Sequence, residues 1–239
     1  MKFRFRWIPF VAMLVAAAIG ITAGNWQTRR AEQKESIERR LAERERGRPV
    51  DIGAAPQSAD DVEFRRVTVR GEFLPRWTVY LDNRPHAGRA GFYVAMPLKI
   101  AGSDMHVLVL RGWVPRDVRD RARLPAIATP AGLVEVEGIA RTAPAALMQL
   151  GDAVPPAPGA IVQNLTPAQF AAASGLATQG FVVEQTSDTG DGLVRDWPRP
   201  SLGIDKHRGY AFQWYGLAAT AFAFFIVTGL RRGKRDAGN

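Results

Sequence analysis

Four side chains with useful chemistry crowd into one short stretch near the end of the chain, where residues 206–217 read KHRGYAFQWYGL. On a helix, His207, Tyr210 and Trp214 stand three and seven residues apart and therefore share one face. An imidazole can ligate a metal or carry a proton, and aromatic rings beside it can wall a binding site. Gln213 adds a polar amide to the same turns. Interfacial Trp and Tyr are also common membrane anchors, so a ligand site and an anchoring belt both stay open on these residues.

The stretch opens one of two segments that are too apolar for a soluble domain. Residues 7–24 carry no charge, and residues 210–230 have Gln213 as their only strongly polar member. At about 1.5 Å per residue, each helix would come near the roughly 30 Å thickness of the hydrocarbon core of a bilayer. The sequence therefore predicts two transmembrane helices.

The first segment has an alternative interpretation as a cleaved signal peptide, because Lys2, Arg4 and Arg6 precede it. Its apolar stretch exceeds the usual core of about 7–15 residues and no Ala-x-Ala cleavage site follows, which favours a retained span. No Arg- and Ser-rich transit peptide precedes it, which favours a bacterial protein. The basic cluster at 231–235 then sets the orientation under the positive-inside rule. Both termini are expected in the cytoplasm, with residues 25–209 outside it.

The net charge of +9 is concentrated beside the predicted spans. Residues 1–6, 29–48 and 231–236 account for the whole excess of basic over acidic groups, and the rest of the chain is balanced. A nucleic-acid partner is therefore not expected. Membrane lipid is the partner that these flanks predict.

A charged helix is expected to continue from the first span. The stretch after Gly24 is rich in Glu, Arg, Gln and Ala, contains no Pro, and stops at Gly47 and Pro49. This composition is typical of a solvated helical stalk with a glycine stop. Residues 49–61 then have the composition of a linker.

Beyond residue 61, alternation with a period of two indicates strands with one buried face. Thr166 and Gln169 form a capping box at the start of one soluble helix, which ends at Gly175. The predicted fold is an α+β outer domain with a mainly antiparallel β-sheet, flanked by two transmembrane helices. The predicted segments are a cytoplasmic N-terminus (1–6), transmembrane helix 1 (7–24), the stalk (25–48), a periplasmic α+β domain (49–206), transmembrane helix 2 (207–230) and a basic cytoplasmic tail (231–239).

The sequence offers no candidate residues for enzymatic catalysis. It has no cysteine and three histidines, and it shows no Gly-x-Ser-x-Gly motif, phosphate-binding glycine loop or cluster of metal ligands. His106 alternates with leucines on a strand and is expected in the core, whereas His86 lies in a turn where exposure is expected. Trp113 is expected to pack in or at the rim of the core, and Arg111 to pair with an acid. The chain is therefore not expected to be an enzyme.

Several motifs, in one order along nearly the whole chain, resemble those of a known family. A Gly-x-Trp-Gln-x-x-Arg-x-x-x-Lys pattern directly follows the first span as Gly24, Trp26, Gln27, Arg30 and Lys34. The further motifs, in order, are RRVTVRGEF, NRPHAGRAGFYVAMPL, VLRGWVP, VEVEGIAR, GLVRDWPRP and HRGYAFQWYGLA. Each motif alone is weak, but the ordered set is specific. The sequence resembles a bacterial member of the surfeit locus protein 1 family.

The resemblance implies an assembly factor for haem–copper cytochrome c oxidase, which aids delivery or insertion of haem a into the catalytic subunit. The partners it implies are cytochrome c oxidase subunit I and haem A synthase, at the bacterial inner membrane. The alternative is a membrane scaffold that stabilises an oxidase assembly intermediate and carries no haem.

The resemblance also implies a ligand for residues 206–217. Bacterial members of the family are implicated in haem a binding. Two antiparallel spans would place the outer end of the first beside the start of the second. His207 is then the expected ligand of the haem iron, with aromatic walls and a cation for the propionates. The expected site comprises Trp26, Gln27 and Arg30 with His207, Tyr210, Gln213 and Trp214.

Overall fold

The computed structural model describes residues 5–120, 123–149, 152–198 and 203–235, the last four by their backbone only. The chain divides into two compact units. The helical hairpin comprises the described residues up to Arg40 and from Gly203 onward, and the sheet domain comprises Leu41–Pro198. The predicted cytoplasmic segments 1–6 and 231–239 lie largely outside the described residues.

Four helices and eight strands make up the described chain. The helices are α1 (Trp7–Arg46), α2 (Ala59–Val62), α3 (Pro167–Ser174) and α4 (Ile204–Arg235), with a short 3-10 turn at Pro75–Trp77. The strands are β1 (Val50–Ile52), β2 (Arg66–Phe73), β3 (Val79–Leu81), β4 (Gly91–Ile100), β5 (His106–Pro115), β6 (Val134–Arg141), β7 (Ile161–Val162) and β8 (Thr178–Gln185).

Helix α1 is one unbroken helix of 40 residues. At about 1.5 Å per residue it is about 60 Å long, roughly twice the hydrocarbon thickness of a bilayer. It ends beside Gly47, and Pro49 prevents its continuation. The predicted helical continuation beyond Gly24 is therefore confirmed. Helix α4 begins at Ile204, three residues before the predicted start of the second span.

The hairpin helices pack along a narrow line of buried residues, most of them glycine or alanine, which we call the seam. Its buried residues are Met13, Gly20, Gly24 and Ala31 on α1, and Ala211, Ala218 and Phe225 on α4. Their spacing in steps of four and seven is the heptad pattern of two helices that wind around each other. A Cβ added at Gly20 would lie only 2.8 Å from the Trp214 carbonyl oxygen. Glycine is needed there because it lets the two backbones approach closely.

The sheet domain is a mixed, mainly antiparallel sheet that closes on itself. The strand order is β1-β2-β6-β8-β5-β4-β3-β7, and β2 also pairs with β4. That extra pairing closes β2, β6, β8, β5 and β4 into a small barrel, in which each of the five strands has a partner on both sides. Five of the pairings are antiparallel, and β1–β2, β3–β7 and β5–β8 are parallel. The predicted α+β fold class is confirmed.

Alternation along β5 shows how the sequence sets the two faces of the barrel wall. Val107 and Val109 belong to a cluster with residues from every barrel strand, which places them in the barrel interior. Leu108 and Leu110 face outward, where Phe170 of α3 covers them. Helix α3 begins with the predicted capping box at Thr166 and ends at Gly175 in a left-handed conformation.

Two predictions for this domain need correction. Residues 49–61 are not a plain linker, because β1 pairs in parallel with β2 and Ile52 is buried. His86 is not simply exposed, since its ring lies 5.1 Å from the ring of Trp113 and it is half-buried. A three-residue strand, and a contact between a turn residue and a distant strand, leave no periodic trace in the sequence.

The remaining predictions for single residues of the domain are confirmed. His106 is buried, and its Nδ1 lies 3.1 Å from the Ala177 carbonyl oxygen. Trp113 is buried and donates a hydrogen bond from Nε1 to the Arg84 carbonyl oxygen at 2.6 Å. Core packing therefore accounts for the tryptophan of the VLRGWVP motif.

Candidate functional site

The candidate site centres on one hydrogen bond between the hairpin helices. Nδ1 of His207 on α4 lies 2.6 Å from Oε1 of Gln27 on α1. Both side chains are half-buried, because both stand next to the seam. Small residues at Gly24 and Ala211 bring the helices close enough for two short side chains to meet. The structure thus joins two residues that sequence reasoning placed near each other.

The other candidates on α4 differ in where they point. Trp214 is half-buried and lies about 40° around the helix from Ala218, given roughly 100° per residue. Tyr210 lies about 80° from Ala218 on the same side, and it is 53% exposed. Gln213 lies about 140° away and is exposed, so it points away from α1. His207, at about 20° in the same direction, therefore shares one side of α4 with Trp214 and Tyr210, and Gln213 lies farther from α1.

The two remaining candidates on α1 contact each other. The guanidinium of Arg30 lies 5.7 Å from the centre of the Trp26 ring, and its Nη1 donates to Oε1 of Gln33 at 3.2 Å. Trp26 is 53% exposed and lies about 160° around α1 from Gly24, so it points away from α4. Arg30 is exposed and forms no ion pair with any described carboxylate. It is a cation available to an anionic group on this exposed side of α1.

Sequence reasoning missed five residues that tie the two helices together. The Tyr215 hydroxyl donates to Oδ1 of Asn25 at 2.8 Å and lies 3.3 Å from the Thr28 hydroxyl. About two turns away along each helix, Arg208 donates from Nη2 to Oε1 of Glu35 at 2.6 Å. The seven-residue spacing of small residues on both helices was the signal in the sequence. Aligning the two helices by that spacing could have shown which of these side chains meet.

These ties lie on the opposite side of the hairpin from Tyr210. They border a cleft of about 400 Å³ between the helices, lined by residues that include Thr28, Glu32, Arg208 and Phe212. Neither Gln27 nor His207 lines it. The His207 side is open instead, with no described residue hydrogen-bonded to Nε2 of the ring.

The sheet domain holds a different polar cluster, which is closed. Arg111 donates to Oδ2 of Asp191 at 2.6 Å, to Thr129 at 2.8 Å and to the Ala128 carbonyl at 3.0 Å. Arg195 binds both oxygens of the same carboxylate, at 2.7 and 2.6 Å. The predicted pairing of Arg111 with an acid is confirmed.

The electrostatics of this cluster follow from its burial. Burial lowers the pKa of Arg111, and Asp191 beside it acts in the opposite direction. Burial also disfavours the charged form of Asp191, but hydrogen bonds from Arg195, the Leu193 amide and Thr189 outweigh it and hold the pKa of Asp191 below its ordinary value. The cluster therefore stays ionised near neutral pH and ties β5 to the segment after β8.

No group of three or more His, Asp or Glu side chains within the described residues could hold a metal ion alone. The imidazole of His207, whose Nε2 has no hydrogen-bond partner among the described residues, is suited to supply a single protein ligand.

Two helices are long and apolar enough to cross a bilayer, and a closed sheet domain is encoded between them. This arrangement fits a two-pass membrane protein. Residues 14–219 match the model of the SURF1 family, and the chain belongs to that family. The matched range contains all seven candidate residues of the hairpin.

Relatives from distant organisms resemble the chain, two of them along most of its length. Surfeit locus protein 1 of Rattus norvegicus is 26% identical, over 90% of this chain and 74% of its own. A SURF1-like protein of Monosiga brevicollis is 24% identical, over 94% of this chain and 89% of its own. A SURF1-like protein of Rickettsia felis is 29% identical over 43% of this chain and 45% of its own. Family membership implies a role in cytochrome oxidase assembly.

Proposed function

We propose that this protein is a non-enzymatic assembly factor for haem–copper cytochrome c oxidase, which binds haem a and aids its delivery to the catalytic subunit. Membership of the SURF1 family supports the oxidase role. The single observation that supports haem binding is the His207 imidazole, held at Nδ1 by Gln27 and free of described partners at Nε2.

The residues around His207 fit the chemistry of a haem. Haem iron accepts an imidazole nitrogen as an axial ligand, and the ring needs apolar walls and cations for its propionates. Tyr210 and Trp214 supply aromatic surface on the side of α4 that carries His207, and the exposed Arg30 supplies a cation. When bound, the haem would supply an iron centre, and this chain would hold it through His207. Trp26 and Gln213 point away from α4 and α1, respectively, and are left as contacts for lipid or a partner.

The proposed partners follow from the same role. Cytochrome c oxidase subunit I would receive the haem, and haem A synthase would supply it. The exposed aromatic side chains Trp26 and Phe212 would contact lipid or the helices of these partners.

The proposed location is the bacterial inner membrane, with both termini in the cytoplasm and the sheet domain in the periplasm. Fusions of an alkaline phosphatase and of a cytoplasmic fluorescent reporter test this orientation. Phosphatase activity is expected at residue 120 and cytoplasmic fluorescence at residue 239. Cytoplasmic fluorescence at residue 120 would reject the proposed orientation.

Haem binding separates this proposal from a haem-free scaffold. The protein should be purified in detergent from cells that also make haem a, and its haem content should be measured by its Soret absorption and by extraction. A near-stoichiometric haem a content supports the carrier. A pure protein that brings down subunit I but no haem supports the scaffold instead.

A further inference from the structure

The hydrogen bond between Gln27 and His207 has a chemical direction. The atom of Gln27 that faces the imidazole is its carbonyl oxygen Oε1, 2.6 Å from Nδ1. A carbonyl oxygen can only accept, so with the amide in this orientation Nδ1 carries the proton. A neutral imidazole has one N–H, and its lone pair is then on Nε2.

The geometry of the ring extends this argument. The two ring nitrogens of imidazole point in widely different directions, so a ring that aims Nδ1 at α1 aims Nε2 away from Gln27. The seam restricts the ring further, because His207 is half-buried beside Ala211 and the helices meet closely at Gly24. No second hydrogen bond to either side chain comes from the described residues.

We propose that Gln27 is a positioning residue that holds His207 in the Nδ1–H tautomer and presents Nε2 as the ligating atom. This inference rests on the proposed haem-binding function and assigns Gln27 a role that touches the histidine rather than the haem. A hydrogen bond of this kind fixes the orientation of a ligand histidine and strengthens it as a donor. Loss of such a partner typically costs about 10–100-fold in affinity for the metal group.

The alternative orientation of the Gln27 amide makes the opposite prediction. With its NH₂ group facing Nδ1, the glutamine would donate, and the proton would move to Nε2. The histidine could not then ligate without losing that proton. The tautomer of His207 therefore shows whether Gln27 favours or hinders ligation through Nε2.

The first experiment measures the tautomer without any haem. The full chain, labelled with ¹⁵N-histidine and prepared haem-free in nanodiscs, should show three histidine ring systems, and the His207→Ala variant assigns the one that disappears. The His207 signals are expected to show the proton on Nδ1. In Gln27→Leu the Nε2–H form, which a free histidine side chain prefers, should appear. A proton on Nε2 in the unsubstituted protein overturns the inference.

The second experiment measures haem in the same variants. Gln27→Leu should lower the haem content after purification by about tenfold or more. Gln27→Glu should retain haem, because a carboxylate accepts the same hydrogen bond, and it should lower the reduction potential of the bound haem. Thr28→Val is the matched control, since it removes a polar contact at the same level without touching His207.

The two experiments separate failure of the inference from failure of the function. If the unsubstituted protein binds no haem but shows the Nδ1–H tautomer, the haem-carrying function is wrong and the tautomer assignment stands. If it binds haem and Gln27→Leu keeps the same content, spectrum and potential, the positioning role of Gln27 is wrong and the function stands.

Discussion

The sheet domain and the helical hairpin both join polar side chains from distant parts of the sequence, but only one of these contacts is closed. Arg111 and Asp191 meet with their side chains 0% and 1% exposed. Gln27 and His207 are only half-buried, and the histidine keeps one nitrogen free of described partners. The atoms of a buried ion pair are not accessible to a ligand, whereas Nε2 of a half-buried imidazole can still bind one. The first contact therefore serves the fold and the second can serve function.

The largest effect is expected at the closed cluster. Asp191→Asn leaves two arginines near a neutral amide, with Arg111 fully buried. Because removal of one partner strands a buried charge, the free energy of unfolding should fall by about 3–5 kcal/mol. Urea unfolding of the full chain in detergent, followed by tryptophan fluorescence, measures the change.

Asp188→Asn is the matched control for that substitution. Its carboxylate also pairs with Arg195 but is 83% exposed, so the stability should change by less than about 1 kcal/mol. Similar losses in both variants would show that burial does not set the strength of the cluster.

The next effect concerns the seam that brings Gln27 to His207. Gly20→Leu would drive a side chain into the Trp214 carbonyl and Ala218, so the helices must separate. Gly216→Leu is the control, because a Cβ there meets no atom within 4 Å. Cysteines placed at Thr28 and Tyr215 should cross-link through a short bis-maleimide severalfold less in Gly20→Leu than in Gly216→Leu. Equal yields would contradict close packing at the seam.

A smaller effect is expected from pH. The pKa of Asp191 in the folded protein is held below its ordinary value of 3.8, so folding favours the carboxylate. Its contribution to stability is present above that value and is lost as the pH falls through the lower pKa of the folded state. Between pH 7 and pH 3, stability should therefore fall more in the unsubstituted protein than in Asp191→Asn. Parallel pH profiles would reject this carboxylate as a source of the acid sensitivity.

The smallest effect is expected at the exposed ion pair of the hairpin. Arg208 and Glu35 are 63% and 31% exposed at their side chains. Glu35→Gln should change stability by only about 0–1 kcal/mol, since water already solvates both groups. Haem content should also be unchanged, because this pair lies on the side of the hairpin opposite Tyr210. A marked loss of haem in Glu35→Gln would move the site to the other side.

The sequence was sufficient for features that depend on local pattern. Period two predicted the strands around Val107 and Val109, and Thr166 with Gln169 marked the start of α3. Barrel closure was not predictable, because the pairing of β2 with β4 and the insertion of β8 between β5 and β6 join strands far apart in sequence. Such pairings depend on the whole packed sheet.

The candidate site shows the same division. The antiparallel arrangement of the two predicted spans was enough to place Gln27 near His207. In the structure, Oε1 of Gln27 lies 2.6 Å from Nδ1 of His207. The rotation of each helix was not apparent, because it is set by Gly20, Gly24 and Ala218 in the seam rather than by the aromatic residues. This is why Trp26 was expected in the site but points away from α4.

The haem content of His207→Ala tests the central claim most directly. His207 supplies the only described imidazole in the hairpin, so its removal should abolish bound haem a while the protein still inserts and the sheet domain stays folded. His86→Ala, which removes a half-buried imidazole from the sheet domain, should keep the full haem content. If His207→Ala purifies with as much haem a as the unsubstituted protein, His207 is not the ligand and the hairpin does not carry haem in the proposed way.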